Sequence, residues 1–478
     1  MLLGVNAANH DASVCLVHDQ QVIFAAHAER YSRAKNDTQL NTELVQDLLN
    51  YGTPTAVCWY EQPWKRLVRQ IMYREPVSYY SIRKLLQPYG LDHLPVHTVP
   101  HHRAHAAHGF CDSGYDQAVV LVVDAIGEWM TTSIWLANGK NLKCKWKQNY
   151  PHSMGLFYSA ITQHLGYKPN EEEFIVMGMA AYGHPLHVDH MRELLFEHYD
   201  PPNYKTVYMH RGIRGLLPEW WLPENVAASA QAIWENYIMR SVRWITKTYP
   251  GLPLVITGGG ALNCVANNRV RDLVGNLHVP ANPGDAGLAL GAVAAVTKVQ
   301  PSHAYLGHNI QRQVDIDLVV QSLLAGNIVG IANGRAEWGP RALGNRSILA
   351  DPRGVHMRDK VNEIKHREKF RPFAPAVLAE HAASIFDIDH NDTSSMQYAV
   401  KCLQPDLYPA VCHVDASARV QVVAADNPSV LRKILEAWYR HTGCAVLLNT
   451  SMNVRGEPLV NTAADAQRFS QVTGVEVF

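Results

Sequence analysis

Four groups of residues in this chain have the types and spacing for chemistry. The first is His101-His102-Arg103-Ala104-His105-Ala106-Ala107-His108. His101, His105 and His108 fall at i, i+4 and i+7 and would share one face of a helix. A His-x-x-x-His pair can grip a metal from one side. No glutamate follows the first histidine, so this is not the zinc-protease arrangement and no general base comes with it. Asp124 ends a hydrophobic run just before Gly127-Glu128, and Asp285 opens a small-residue helix in Asn282-Pro283-Gly284-Asp285-Ala286-Gly287. Two histidines and two aspartates form a mixed donor set for iron, zinc or manganese with positions left open. A solvated or capping histidine cluster is the alternative.

The second group, Gly258-Gly259-Gly260-Ala261-Leu262-Asn263, follows a strand-like run. Glycines let a backbone approach phosphate, and a following helix start favours its charge. A tight turn alone would use the same residues. The third lies between Arg335 and Arg371, where ten lysines and arginines face five acids. Within it, Gly339-Pro340-Arg341-Ala342-Leu343-Gly344-Asn345-Arg346-Ser347 mixes glycines with arginines, as a phosphate-wrapping loop does. A solvated charged face is the competing reading. The fourth, Asn449-Thr450-Ser451-Met452-Asn453-Val454-Arg455-Gly456-Glu457-Pro458, puts small amide and hydroxyl groups at a strand end. Such groups orient ligands or build a local turn.

Elements that position these groups are readable from hydrophobic periodicity. Leu2–Asn6, Ser13–Val17 and Val22–His27 read as strands, with an elbow at Asn9-His10-Asp11. Val119–Asp124, Thr132–Leu136 and Leu142–Lys147 repeat that layout with an elbow at Gly127-Glu128. The repeat predicts a duplicated α/β core with ligands beyond the carboxyl ends of strands. Helices are expected over Ala227–Tyr249, after Asp285 and over Asp359–Lys365, with strands at Leu254–Thr257, Ile328–Ala332 and Ala445–Leu448. Pro301–Asp315, polar and irregular, is the expected linker. It separates a first domain over 1–305 from a second over 316–478.

Composition narrows the function classes. With 47% apolar and 18% charged residues the chain is globular, and 478 residues favour more than one domain. Lysine plus arginine equals aspartate plus glutamate at 43 each, which argues against a coat for long nucleic acid. Eight scattered cysteines without a CxxC pair read as reduced thiols of a cytoplasmic protein. No cationic, apolar leader opens the sequence, and the longest small-apolar stretch, Ala286–Val296, is too short to span a bilayer. Partners are therefore expected to be small molecules rather than membranes, with the chain a monomer or homodimer.

Taken together, these motifs resemble the O-carbamoyltransferases of antibiotic and nodulation-factor biosynthesis. The resemblance runs through His10-Asp11-Ala12-Ser13, Glu29-Arg30-Tyr31-Ser32-Arg33-Ala34-Lys35, the histidine cluster and Gly155-Leu156-Phe157-Tyr158. It continues through Met177–Gly183, the glycine turn, the Asp285 loop, Trp338–Arg353, Lys365–Pro375 and Asn449–Pro458. It implies a duplicated actin/sugar-kinase-like (ASKHA) domain joined to an α/β YrdC-like domain. The implied reaction uses ATP and carbamoyl phosphate to make carbamoyl-adenylate in the second domain. Arg341, Arg346, Lys365 and Arg371, with Asn449, Ser451, Asn453 and Arg455, would hold phosphates and the carbamoyl group there. The adenylate would then move inside the protein to the first domain. There His101, His105, Asp124 and Asp285 would hold a divalent metal, expected to be iron, while magnesium would accompany ATP. Gly259, Gly260 and Asn263 would lie near the nucleotide, and a hydroxyl acceptor would take the carbamoyl group. His10 is the candidate base or orienter for that hydroxyl, and Lys35 a candidate contact to adenylate or acceptor.

Two departures from the family pattern bear on the acceptor. Ile175 stands where the family often has a lysine, and the region between Gly183 and Gly251 is short. Sugars, antibiotic alcohols and hydroxymethylated pyrimidine nucleotides all remain eligible. The competing classes are an actin-like ATPase or sugar kinase, a threonylcarbamoyl-type transferase acting on nucleic acid, and a non-catalytic metal-binding module.

Overall fold

A computed structural model describes residues 1–199, 201–205, 209–368, 370–388 and 393–478, which form two compact units. The first comprises Met1–Ala28 and Asn36–Ser302, the second Glu29–Lys35 and His303–Phe478. The fold is mixed α/β.

The first unit holds two five-stranded sheets. One contains β1 (Leu2–Asn6), β2 (Ser13–His18), β3 (Gln21–His27), β4 (Ala56–Trp59) and β5 (Val96–Thr98), in the order β3-β2-β1-β4-β5. The other contains β6 (Gln117–Gly127), β7 (Met130–Asn138) and β8 (Asn141–Asn149). A small hairpin, β9 (Phe196–Tyr199) and β10 (Pro202–Tyr204), intervenes before β11 (Leu254–Thr257) and β12 (Leu277–His278), giving the order β12-β11-β6-β7-β8. In each sheet the first strand runs antiparallel to the second and the second to the third, whereas the first and the last two run parallel. The repeat seen in the sequence is therefore a repeat of topology. Burial explains the strand patterns. β4 and β11 are buried along their whole length, as strands covered on both faces are. At the sheet edge β8 alternates, turning Lys143, Lys145 and Lys147 outward, and charged residues there discourage pairing with another chain.

Close backbone contacts place the Asp285 loop. The helix Leu288–Ala294 lies so near β1 that a Cβ on Gly4 would stand 1.8 Å from the Ala289 carbonyl oxygen. On its other side, a Cβ on Gly291 would stand 2.1 Å from the carbonyl oxygen of Ala104. Only glycine permits both approaches. They clamp the small-residue helix between the first strand and the histidine-bearing helix His101–Ser113.

The second unit contains β13 (Tyr305–Ile310), β14 (Val329–Ala332), β15 (Gly334–Glu337), β16 (Arg346–Ala350) and β17 (Ala374–Leu378). After these come β18 (Ala399–Lys401), β19 (Ser417–Arg419), β20 (Gln421–Val423), β21 (Val446–Ser451) and β22 (Glu476–Val477). Its main sheet runs β20-β17-β21-β16-β14-β22 and mixes parallel with antiparallel pairs. The expected linker Pro301–Asp315 is corrected here: its centre is β13, paired antiparallel with β15. Polar His308 and Asn309 hid a strand whose Tyr305, Leu306 and Ile310 are buried. The boundary near 305 also missed Glu29–Lys35, which packs with the second unit.

Candidate functional site

Four ligand atoms, one each from His101, His105, Asp124 and Asp285, lie within 4.8 Å of one another. The helix His101–Ser113 starts directly after Pro100, so the two histidines stack one turn apart in its buried first turns. Asp124 sits where the β6/β7 register breaks between Val123 and Gly127, which frees its side chain from the ladder. Asp285 is fixed from β1: the Asn6 amide donates to the Asp285 carbonyl at 2.9 Å, and Ser13 Oγ donates to the Ala286 carbonyl at 2.7 Å. The His101 Nε2 to Asp124 Oδ2 distance is 3.1 Å, and His105 Nε2 lies 3.3 Å from Asp285 Oδ1.

This donor set fits a divalent metal. Both ring nitrogens of His105 and the Nδ1 of His101 are buried without a hydrogen-bond partner, a costly arrangement unless a ligand compensates. Burial alone would lower the His101 pKa, but the Asp285 charge and the hydrogen bond donated to Asp124 outweigh it and raise it to about 9. Asp124, which burial would raise, is instead held well below the carboxylate range by the hydrogen bond and charge of the histidines. A proton on His101 therefore competes with the metal. Metal affinity should rise between pH 7 and about 9, by about tenfold per unit for each proton displaced. Calorimetric titration across that range checks it; a flat affinity contradicts it.

His10 lies on the elbow after β1, where Ala8 and Asp11 adopt positive φ of 67° and 51°. The Asn6 amide holds this strained turn by donating to the His10 and Asp11 carbonyls. His10 Nδ1 lies 2.9 Å from Asp11 Oδ2. Burial lowers its pKa, yet Asp11, Asp285 and Glu171 raise it to about 9. The ring is thereby tied to Asp11 beside the cluster, a placement that suits the expected role of base or orienter. The Gly259 amide approaches Asp124 Oδ1 at 3.4 Å, which links the glycine turn to the cluster. A Cβ on Gly260 would press on Trp234. Asn263 spends its oxygen capping the helix Cys264–Arg271 and its amide on Gln231, so it shapes the turn instead of offering a free amide.

In the second unit, Lys365 is buried with its ammonium bonded to Ser451 and Asn453. Nζ donates to the Ser451 carbonyl, to Ser451 Oγ at 3.2 Å, and to the Asn453 carbonyl and Oδ1 at 2.9 and 2.8 Å. The Arg455 amide donates to the Lys365 carbonyl at 3.0 Å, so one lysine ties down the whole turn after β21. Burial, then the Arg367 and Arg371 charges, push the Lys365 pKa well below its usual value. Burial with Arg371 and Arg419 lowers Arg367 likewise. Glu368 meets Arg371 at 3.4 Å and Arg455 at 3.0 Å. Arg419, on β19, keeps a buried Nε without a partner. Buried cations that depress one another's pKa values need an anion.

Two expectations fail in this unit. Arg346 is not a phosphate ligand: it is fully buried, and its guanidinium donates to the carbonyls of Asn461, Asn333, Asn345 and His308 at 2.8–3.0 Å. The amides from Leu343 to Arg346 in the glycine-arginine loop are likewise taken, that of Gly344 by Ser347 Oγ at 2.9 Å. Glu337 Oε1 accepts from Leu343, Asn345 and Arg346 at 2.7, 2.8 and 3.2 Å, filling the nest that phosphate would use. Arg346→Met should therefore destabilise the protein by roughly 3–5 kcal/mol, measured by urea unfolding, because it strands buried carbonyls. A loss under about 1 kcal/mol contradicts a strut role. Asn449 is buried, with its amide on the Ala342 carbonyl and Gln421. Arg341 is half-buried in the loop. Lys35 is exposed and lies in the second unit, whereas His10 is in the first.

A family model described as Carbamoyltransferase N-terminus matches residues 60–294, and one described as Carbamoyltransferase C-terminus matches 320–478. The chain belongs to the carbamoyltransferase family. Nodulation protein NolNO of Sinorhizobium fredii is 30% identical over 96% of this chain and 76% of its own length. The uncharacterized protein sll1178 of Synechocystis is 32% identical over 98% and 93%. The 3'-hydroxymethylcephem-O-carbamoyltransferase of Amycolatopsis lactamdurans is 35% identical over 47% of each chain. This carbamoyltransferase-family chain is thus a transferase whose two units each present a polar cluster. No helix among its described residues is long and apolar enough to cross a membrane.

Several residues of these clusters were not anticipated. Asn6 joins the elbow to Asp285, and Arg367, Glu368 and Arg419 complete the cation cluster. Arg367 and Glu368 stood inside the charge-rich run and needed only a helix end at Lys365 to set their direction. Arg419 is distant in sequence and gave no local signal.

Proposed function

We propose that this chain is an ATP-dependent O-carbamoyltransferase that makes carbamoyl-adenylate from carbamoyl phosphate and delivers the carbamoyl group to a small-molecule alcohol. The observation that supports it most is the cation cluster of Lys365, Arg367, Arg371 and Arg419 in a chain of this family. Its excess positive charge suits two polyanions bound side by side, ATP and carbamoyl phosphate. The second unit would thus act as the YrdC-like adenylating domain. Arg371 and Arg419 would take phosphate oxygens. Lys365 would hold Ser451 and Asn453 toward the carbamoyl group, with Arg341, Asn449 and Arg455 bordering them. Balance requires carbamoyl phosphate to surrender inorganic phosphate to water. The carbamate oxygen then bonds to the α-phosphorus of ATP as pyrophosphate leaves.

The first unit would carry out the transfer, as an actin/sugar-kinase-like domain. His101, His105, Asp124 and Asp285 would hold a divalent ion, iron by the family resemblance, which supplies Lewis-acid stabilisation of charge on the phosphate. Gly259 and Gly260 would give the nucleotide a close backbone approach, and His10 would serve the acceptor as base or orienter through its buried Nε2. The acceptor oxygen bonds to the carbamoyl carbon, the bond to the AMP oxygen breaks, and the hydroxyl proton leaves to solvent. Lys35 would contact adenylate or acceptor. All eight cysteines are free, in keeping with a cytoplasmic site of action.

An alcohol panel of sugars, aminocyclitols, cephems and hydroxymethylated nucleosides, incubated with ATP, carbamoyl phosphate and metal, tests the assignment by mass spectrometry. A carbamoylated alcohol that depends on both co-substrates supports it. ATP conversion to ADP that ignores carbamoyl phosphate would instead indicate a kinase-like activity.

A further inference from the structure

Tyr60 follows β4 immediately, and its side chain is fully buried at 0% exposure. Its ring meets the His101 ring edge-on, with centroids 5.8 Å apart. Its hydroxyl is buried and has no hydrogen-bond partner. The polar groups around it are served. Tyr80 donates its hydroxyl to Glu61, Arg66 lies 3.5 Å from Glu61, Trp59 Nε1 donates to Tyr80 at 3.1 Å, and Glu128 accepts the Gln62 amide at 2.6 Å. Leaving one buried hydroxyl unpaired costs about 1–3 kcal/mol, and phenylalanine would fill the same space without that cost. An unpaired buried donor against a metal-site histidine is therefore poised for something that is not protein.

We infer that the Tyr60 hydroxyl is a hydrogen-bond donor to a phosphoryl oxygen of the anion gathered at the His101–His105–Asp124–Asp285 cluster, an inference that rests on the phosphate-binding role proposed for that cluster. Three features select an oxyanion. Burial, then the Glu61 charge, push the Tyr60 phenol well above its usual range, so it keeps its proton and can donate. The carboxylates Glu61 and Glu128 already have donors. The cluster itself draws ligand oxygen to the place where His101 presents its ring. Because the phenol is neutral and held by packing, its contribution is geometric. It fixes the orientation of the phosphate and therefore of the carbamoyl carbon bonded to it, without adding charge.

The test compares wild type with Tyr60→Phe, both loaded with Mn(II) and titrated calorimetrically with AMP and with inorganic phosphate. Mn(II) affinity should be equal in the two proteins, whereas AMP and phosphate should each bind about tenfold more weakly to the variant. The metal-free melting temperature should hold or rise, because an unsatisfied group has been removed; a merely structural tyrosine would make it fall. Equal AMP affinity in the two proteins overturns the inference. If wild type loaded with Mn(II) takes up neither anion, the phosphate role of the cluster fails first, which separates that failure from failure of Tyr60. Unchanged anion binding with a raised KM for the alcohol would move Tyr60 to the acceptor side and likewise overturn the assignment.

Discussion

His105→Ala should abolish carbamoyl transfer while leaving adenylate formation intact. His105 contributes a fully buried imidazole whose nitrogens meet no protein hydrogen-bond partner, so its removal takes from the apo fold its packing and its charge contacts with Asp285 and Asp124. It does take one of four ligands, and metal affinity should fall by at least about 100-fold. Without charge stabilisation on the leaving phosphate, transfer to the alcohol should slow on the order of a thousandfold. The second unit carries none of the four ligands, since all lie within Met1–Ala28 and Asn36–Ser302. Pyrophosphate release from ATP and carbamoyl phosphate should thus stay within about twofold of wild type. Asp285→Asn should behave alike, because the Asn6 bond that holds this loop goes to the main-chain carbonyl and survives. Loss of both activities together would contradict a division of labour between the units.

Lys365→Met should give the opposite pattern. The substitution keeps length and apolar bulk but leaves Ser451 and Asn453 without the ammonium that gathers them. The turn from Ser451 to Arg455 should relax, at a stability cost of about 1–3 kcal/mol. Because the lysine both shapes the turn and faces the other cations, pyrophosphate release should fall on the order of a thousandfold. Metal affinity in the first unit should be unchanged. Carbamoyl-adenylate supplied directly should then still carbamoylate the alcohol, which isolates the defect to the adenylating step. A Lys365→Met protein that retains a tenth or more of its pyrophosphate release would remove the lysine from that role.

What could be read from the sequence divides along physical lines. The duplicated core was legible because β1–β3 and β6–β8 repeat both apolar runs and elbows, and those are local signals. That His101, His105, Asp124 and Asp285 come together was also legible: two histidines at helical spacing announce themselves, and each aspartate stands at a break in regular structure. Arg346 misled because a guanidinium in a glycine-rich loop looks the same in sequence whether it donates to phosphate or to main-chain carbonyls. What decides it is β13, which hid in a polar stretch and supplies the His308 carbonyl. The loop Gly339–Ser347 misled for a related reason, since a carboxylate six residues before Leu343 gives no hint that it will fill the loop's own nest. The surroundings of His10 were not legible: its pKa depends on Asp285, brought near through contacts that span nearly the whole first unit.

The most direct test of the central claim is a count of phosphorus products from the metal-loaded protein given ATP and carbamoyl phosphate, alone and together. The account predicts pyrophosphate only when both are present, one inorganic phosphate for each pyrophosphate, and AMP only once an acceptor alcohol is added. Pyrophosphate without carbamoyl phosphate, or ADP as the nucleotide product, would contradict carbamoyl-adenylate as the species this protein makes.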